Sequence, residues 1–213
     1  MTMMKKIRYV FSAAFLLVTA SLFGQGYFII GYGPSIPTGK TSDYIDLTSW
    51  RSFNVEAGAF VTKNISVGAA FSWYGSYKAY PKQTYENVSG TTITITGRQW
   101  RYENLYPLVV VARYYIPIKD LDFRPFVGAG LGPYFVNRSL DFGIYSVSEN
   151  TTQFGFYPQL GFSYWINSGF ALSLDGRYNY SLESKDLPAH SNIAINLALV
   201  WKFGGKQEVT FTE

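Results

Sequence analysis

Between Ser191 and Phe203 every second residue is bulky and apolar: Ile193, Ile195, Leu197, Leu199, Trp201 and Phe203. The residues between them, Asn192, Ala194, Asn196, Ala198, Val200 and Lys202, are small or polar. Side chains alternate across a strand, so this period of two predicts a strand with one apolar face. The segment before it repeats the pattern. Phe170, Leu172, Leu174, Tyr178, Tyr180 and Leu182 share one face, and Ala171, Ser173, Asp175, Arg177, Asn179 and Ser181 the other. Asn167-Ser168-Gly169 is the tight turn leading into it. Before that turn Phe154, Phe156, Leu160, Phe162, Tyr164 and Ile166 alternate with Gln153, Gly155, Tyr157, Gln159, Gly161 and Ser163.

Earlier strands follow the same rule less cleanly. Phe53 to Val61 and Ile65 to Trp73 alternate around a turn at Thr62-Lys63-Asn64. A strand from about Gln99 to Ile116 has no clear phase in its apolar residues. Charge on a lipid face is costly, which places Arg101, Glu103 and Arg113 inward. Phe123 to Asn137 puts Arg124, Gly128, Gly130 and Gly132 on one side, and a glycine-rich strand runs from Tyr27 to about Ile36. The pattern therefore predicts eight strands. The connections 62–64, 117–122 and 167–169 are short, whereas 38–50, 78–98, 139–150 and 183–190 are longer. Short turns on one side and long loops on the other characterise an outer-membrane barrel, with the short turns facing the periplasm.

Alternation alone also fits a soluble barrel. The polar faces decide against it, because Gly, Ala, Ser and Asn suit a crowded interior and are poor cover in water. Tyr164, Tyr178, Tyr180 and Trp201 fall where interfacial aromatic girdles belong. Composition agrees: aromatics are 19% and charged residues only 15% of the chain, against about a quarter charged in ordinary soluble domains. The expected fold is all-β, an eight-stranded antiparallel up-and-down transmembrane barrel. A soluble periplasmic barrel is the architectural alternative.

The first segment reads as a cleaved signal peptide, residues 1–24. Lys5, Lys6 and Arg8 precede an apolar run, Tyr9 to Ala20, too short to span a bilayer as a helix. The barrel is then expected over 25–203, with a short periplasmic tail at 204–213. The leader carries three of the 18 basic residues and no acid, leaving 15 basic against 14 acidic residues. The basic character belongs to export, and no nucleic-acid partner is implied. Cysteine is absent and histidine occurs once. No disulfide, lipoprotein anchor, thiolate or multi-histidine metal site is therefore expected, nor any cofactor.

A narrow barrel has room only for its own side chains. The expected inward charges are Glu56, Glu103 and Asp175 with Arg101, Arg113, Arg124, Arg177 and Lys202. Buried charges require partners, so these residues are expected to form a luminal network that closes the barrel to solutes. In 78–98, the run Thr91 to Thr96 has the composition to extend the strands above the membrane.

The terminal strand IAINLALVWKF resembles that of the small eight-stranded outer-membrane barrels, the OmpX-like, OmpW-like and OmpA-transmembrane-domain group. The resemblance covers the whole segment after the leader. It implies an integral outer-membrane location, contact with outer-membrane lipids, and insertion by the barrel-assembly machinery. Leu197, Leu199, Trp201 and Phe203 would carry the insertion signal. Ten residues after Phe203 depart from the pattern and are too few for a wall-binding domain. The resemblance implies a structural or surface-interaction role, with an extracellular protein or surface ligand met by the loops. Two alternatives stay open. Passage of small apolar molecules, as in OmpW-like barrels, has inward Phe126, Tyr157 and Trp165 in its favour. A lipid-modifying enzyme would need His190-Ser191, yet adjacent strand residues face opposite ways. The expectation is a protein that is not an enzyme.

Overall fold

The computed structural model describes residues 25–85, 95–118, 122–142, 145–185 and 187–204. The expected leader 1–24, the stretch Thr91–Thr94 and the tail beyond Gly204 lie outside the described residues. The strands are β1 (Gln25–Tyr32), β2 (Ser35–Pro37), β3 (Arg51–Phe60), β4 (Ile65–Tyr85), β5 (Ile95–Tyr115), β6 (Phe123–Phe142), β7 (Tyr145–Asn167), β8 (Phe170–Ser181) and β9 (His190–Phe203). One six-residue helix, α1 (Gly39–Tyr44), follows β2.

β1 pairs antiparallel with β3, each strand from β3 onward pairs antiparallel with the next, and β9 returns to β1 and β2, closing the ring. The first two strands are pieces of one stave. Tyr32 lies opposite Leu197 and Ser35 opposite Ala194, so the register against β9 runs unbroken through Gly33-Pro34. The barrel therefore has eight staves. Gly33 is fixed by closeness: a Cβ there would sit 1.8 Å from the carbonyl oxygen of Ile195. We expect Gly33→Ala to lower barrel stability by about 1–3 kcal/mol in urea unfolding from lipid vesicles. Gly97→Ala, where nothing lies within 4 Å, should change it by less than about 0.5 kcal/mol. Equal effects would remove the claim.

Two of the expected loops are corrected. The chain does not leave the sheet at 78 or 139. Thr84 pairs with Thr96, and Phe142 with Tyr145, so β4 to β7 continue as strands well past those points. The reason is chemical: beyond the membrane the outward face turns polar, as at Ser139, Asp141, Ser146 and Ser148, so the apolar-outward alternation ends while the backbones still pair. β3 stops pairing with β4 at Arg51–Gly75, and β8 stops pairing with β7 at Ser181–Gly155. A four-stranded sheet of β4 to β7 thus stands clear of the other staves at the loop end.

Within the membrane-spanning part of the staves burial alternates, and the exposed face is the apolar one. Leu160 is 68% and Leu197 62% exposed, while Arg177 and Glu56 are buried. A soluble protein reverses this arrangement. Rings gather at both ends of the outward face. Phe28 and Phe170 flank Trp201 near the short turns, and Phe53 meets Phe71 and Trp73 near the loops. Three seams lack ladder pairs: β4–β5 between Phe71–Leu108 and Tyr74–Leu105, β5–β6 between Pro107–Tyr134 and Val110–Leu131, and β7–β8 between Phe156–Tyr180 and Gln159–Arg177. Each gap includes a proline, Pro107, Pro133 or Pro158, whose missing N–H removes a ladder bond.

Candidate functional site: the lumen and its outer mouth

The inward residues of the staves fill the barrel in three tiers. In the middle tier Glu56 accepts hydrogen bonds from the Tyr27 hydroxyl (2.8 Å) and from Arg113 Nη2 (2.6 Å). Asp175 accepts from Arg177 Nε (2.6 Å) and from Asn196 (3.3 Å). The Tyr134 hydroxyl donates to Asn179 at 3.4 Å. Rings complete the packing: Phe126 lies 5.2 Å from the Arg113 guanidinium carbon and Tyr157 5.3 Å from that of Arg177. The Tyr157 ring lies against Gly130, where a Cβ would come within 2.5 Å of it. Small inward residues make room for these large ones.

The tier nearest the short turns holds Arg124 and Lys202 beside aromatic faces. Arg124 stands 5.6 Å from the Trp165 ring, and Lys202 lies 5.7 Å from the same ring and 5.3 Å from Phe60. The outer tier centres on Glu103. It accepts a hydrogen bond from Arg138 Nε, and His190 Nδ1 lies 2.6 Å from its other oxygen.

Above the outer tier sits the first loop. The Tyr44 ring lies between two guanidinium groups, 5.1 Å from Arg101 and 4.8 Å from Arg138. Its hydroxyl donates to the Ser139 carbonyl, and its own carbonyl accepts from Arg101. Burial among these groups pushes the Tyr44 phenol up to about 12. Ser191 fastens the same loop from the other side, through Thr38 and Thr41. Lys78 donates to Asp46 at 2.6 Å, which holds the exposed Asp46 carboxyl below its usual range. Beside Tyr44 an open cleft is lined by Leu140, Val147, Glu149 and Leu187 among others.

The sequence-predicted charges therefore sit as follows. Glu56 meets Arg113, and Asp175 meets Arg177. Arg101 turns away from Glu103 to Tyr44 and Tyr80, while Arg124 and Lys202 lie beside the Trp165 ring near the short turns. Arg138 and His190 were missed as partners of Glu103. Both keep the parity of inward residues on their own strands, Arg138 with Arg124 and His190 with Lys202. Extending the alternation past the assumed strand ends would have found them. Leu197, Leu199, Trp201 and Phe203 all point outward and are exposed. Ser191 is held by α1 and its cap residue while His190 faces Glu103, so the two do not act on one another. Among the described residues no group of three or more His, Cys, Asp or Glu could hold a metal ion.

A model of the outer membrane protein beta-barrel domain matches residues 10–203. In fold the chain is similar to the neisserial surface protein NspA, at 17% identity and TM-score 0.58, over 84% of this chain and 97% of that one. It is similar also to Ail, the attachment invasion locus protein of Yersinia pestis, at 13% identity and TM-score 0.51, over 84% and 99%. Outer membrane protein W of Escherichia coli aligns at 14% identity and TM-score 0.45, over 84% and 98%. At such identities the likeness shows the fold alone. No curated protein matches the sequence.

Proposed function

The chain belongs to the outer membrane protein beta-barrel domain family and is an integral outer-membrane protein; from that premise we propose a structural and surface-interacting role, exercised through the loop end. The observation that carries this reading is the β4–β7 sheet, which projects beyond β3 and β8 on the side of the longer loops. A lumen crossed by Glu56–Arg113, Asp175–Arg177 and Glu103–Arg138 supports a filled interior rather than an aqueous pore. The test is to replace residues 139–148 with Asn-Gly, which joins β6 and β7 by a short hairpin turn. Cells carrying the trimmed barrel should lose adhesion to immobilised matrix proteins while the protein still migrates as a folded, heat-modifiable species. Adhesion unchanged by the trimming would sink this reading.

A second reading, passage of small apolar molecules, is favoured by the apolar luminal cluster. Tyr74, Leu105, Val109, Val136 and Tyr157 belong to it, and it reaches Leu187 at the outer cleft. Members of the cluster lie at the three proline-interrupted seams, where the wall has fewest hydrogen bonds. Transfer of an apolar dye into proteoliposomes, no faster than into protein-free liposomes, would dismiss it.

We read Leu197, Leu199, Trp201 and Phe203 as the insertion signal for the assembly machinery, because all four are outward on the strand that closes the ring. Phe203→Ala should lower the folded protein in outer-membrane fractions several-fold. An unchanged yield would assign assembly to other residues.

A further inference from the structure

One continuous row of inward residues crosses six staves. The register places Ser66 opposite Arg113, Arg113 opposite Gly128, Gly128 opposite Gln159, Gln159 opposite Arg177 and Arg177 opposite Ala194. The row holds two guanidinium groups and one amide, with little bulk at Gly128 and Ala194. A Cβ on Gly128 would fall 2.8 Å from Gln159 Nε2 and 3.0 Å from Arg113 Cγ. The amide and the arginine stem therefore approach one another over that glycine.

Each arginine makes one nitrogen contact with a carboxylate, Arg113 through Nη2 and Arg177 through Nε. Arg113 Nε and Nη1, Arg177 Nη1 and Nη2, and Gln159 Nε2 find no hydrogen-bond partner among the described residues. Gln159 Oε1 and the Tyr157 hydroxyl are likewise unpartnered, while the Tyr115 hydroxyl lies in reach of Ser66 and Arg113. Arg113, Gln159, Arg177 and Tyr157 are all more than nine-tenths buried. Five donor nitrogens thus face one obligate acceptor within the row, the Gln159 carbonyl, and the Tyr157 and Tyr115 hydroxyls, which can serve either way. Unpartnered buried donors, above all charged ones, are costly. Water brings donors and acceptors in equal number and leaves that imbalance standing, whereas an anion brings acceptors alone.

We propose that this row binds one small monovalent anion of halide size, between an unpartnered nitrogen of Arg113, the free Nη1–Nη2 edge of Arg177 and the Gln159 amide. The carboxylates of Glu56 and Asp175 hold Arg113 Nη2 and Arg177 Nε, so the anion completes the hydrogen bonding of both arginines without displacing either partner. Such a ligand binds only the folded barrel and stabilises it by mass action.

The experiment uses the folded protein in lipid nanodiscs, with sodium chloride, bromide or gluconate at matched ionic strength. The thermal midpoint should rise with the logarithm of chloride or bromide concentration and stay flat in gluconate. Crystals grown in bromide should show an anomalous peak between Arg113 and Arg177. Gln159→Leu removes one amide donor to a charged ligand and should weaken the halide effect by about tenfold or more, leaving both arginine–carboxylate pairs in place. Equal midpoints in halide and gluconate, or ordered water without bromide at that position, would overturn the proposal. The diffraction experiment on the unaltered chain decides the matter even if the variant fails to fold.

Discussion

Replacing Glu56 with alanine is expected to destabilise the barrel by about 3–5 kcal/mol. Glu56 is 1% exposed and takes hydrogen bonds from both Arg113 and Tyr27. Removing it leaves a buried guanidinium without its counter-charge and a buried phenol without an acceptor. The loss reports the isolated Arg113 charge more than the net worth of the pair. A second variant separates the two. Glu56→Leu combined with Arg113→Met removes both charges together and should recover most of the loss. Unfolding in urea from lipid vesicles gives both numbers. A single variant as stable as the parent would show that Arg113 finds compensation elsewhere in the lumen.

Leu160→Arg should cost about 2–4 kcal/mol in a bilayer. Leu160 is outward in the part of β7 that pairs with Val127 and Gly176 on its two sides. A charge placed there enters the hydrocarbon region. In a water-soluble barrel an arginine at so exposed a position would be close to neutral. Ser148→Arg on the projecting hairpin serves as the comparison, with an expected change within about 0.5 kcal/mol. Equal tolerance at both positions would contradict a lipid-facing β7.

The parts of this fold that were legible in the sequence are those where lipid and lumen impose opposite demands. β7, β8 and β9 cross the membrane between two unlike environments, and their alternation reads directly. The first stave is harder to read because Gly31 and Gly33 make room for close neighbours, the Asn54 side chain and the Ile195 carbonyl, rather than answering to either environment. At the projecting end of β7 water bathes both faces: in Tyr145 to Asn150 every residue is exposed, so no contrast between faces is written into the chain there. Arg138 and His190 are buried but lie just past the strand ends that the alternation predicts. Glu56, Asp175, Arg113 and Arg177 were visible as charges of inward parity. Which charge meets which depends on register between distant strands, and the sequence does not carry it. The plug formed by Tyr44 depends on a loop conformation that no periodicity encodes.

The central claim is that bulky apolar side chains meet lipid while small and charged ones face inward. The chain has no cysteine, so single cysteines at Phe156, Gln159, Leu160, Phe162 and Ser163 can each carry an environment-sensitive fluorophore. Quenchers attached to lipid acyl chains should strongly quench labels at 156, 160 and 162 and leave those at 159 and 163 nearly untouched. Uniform quenching, or quenching at 159 and 163 in place of the others, would contradict the barrel as described.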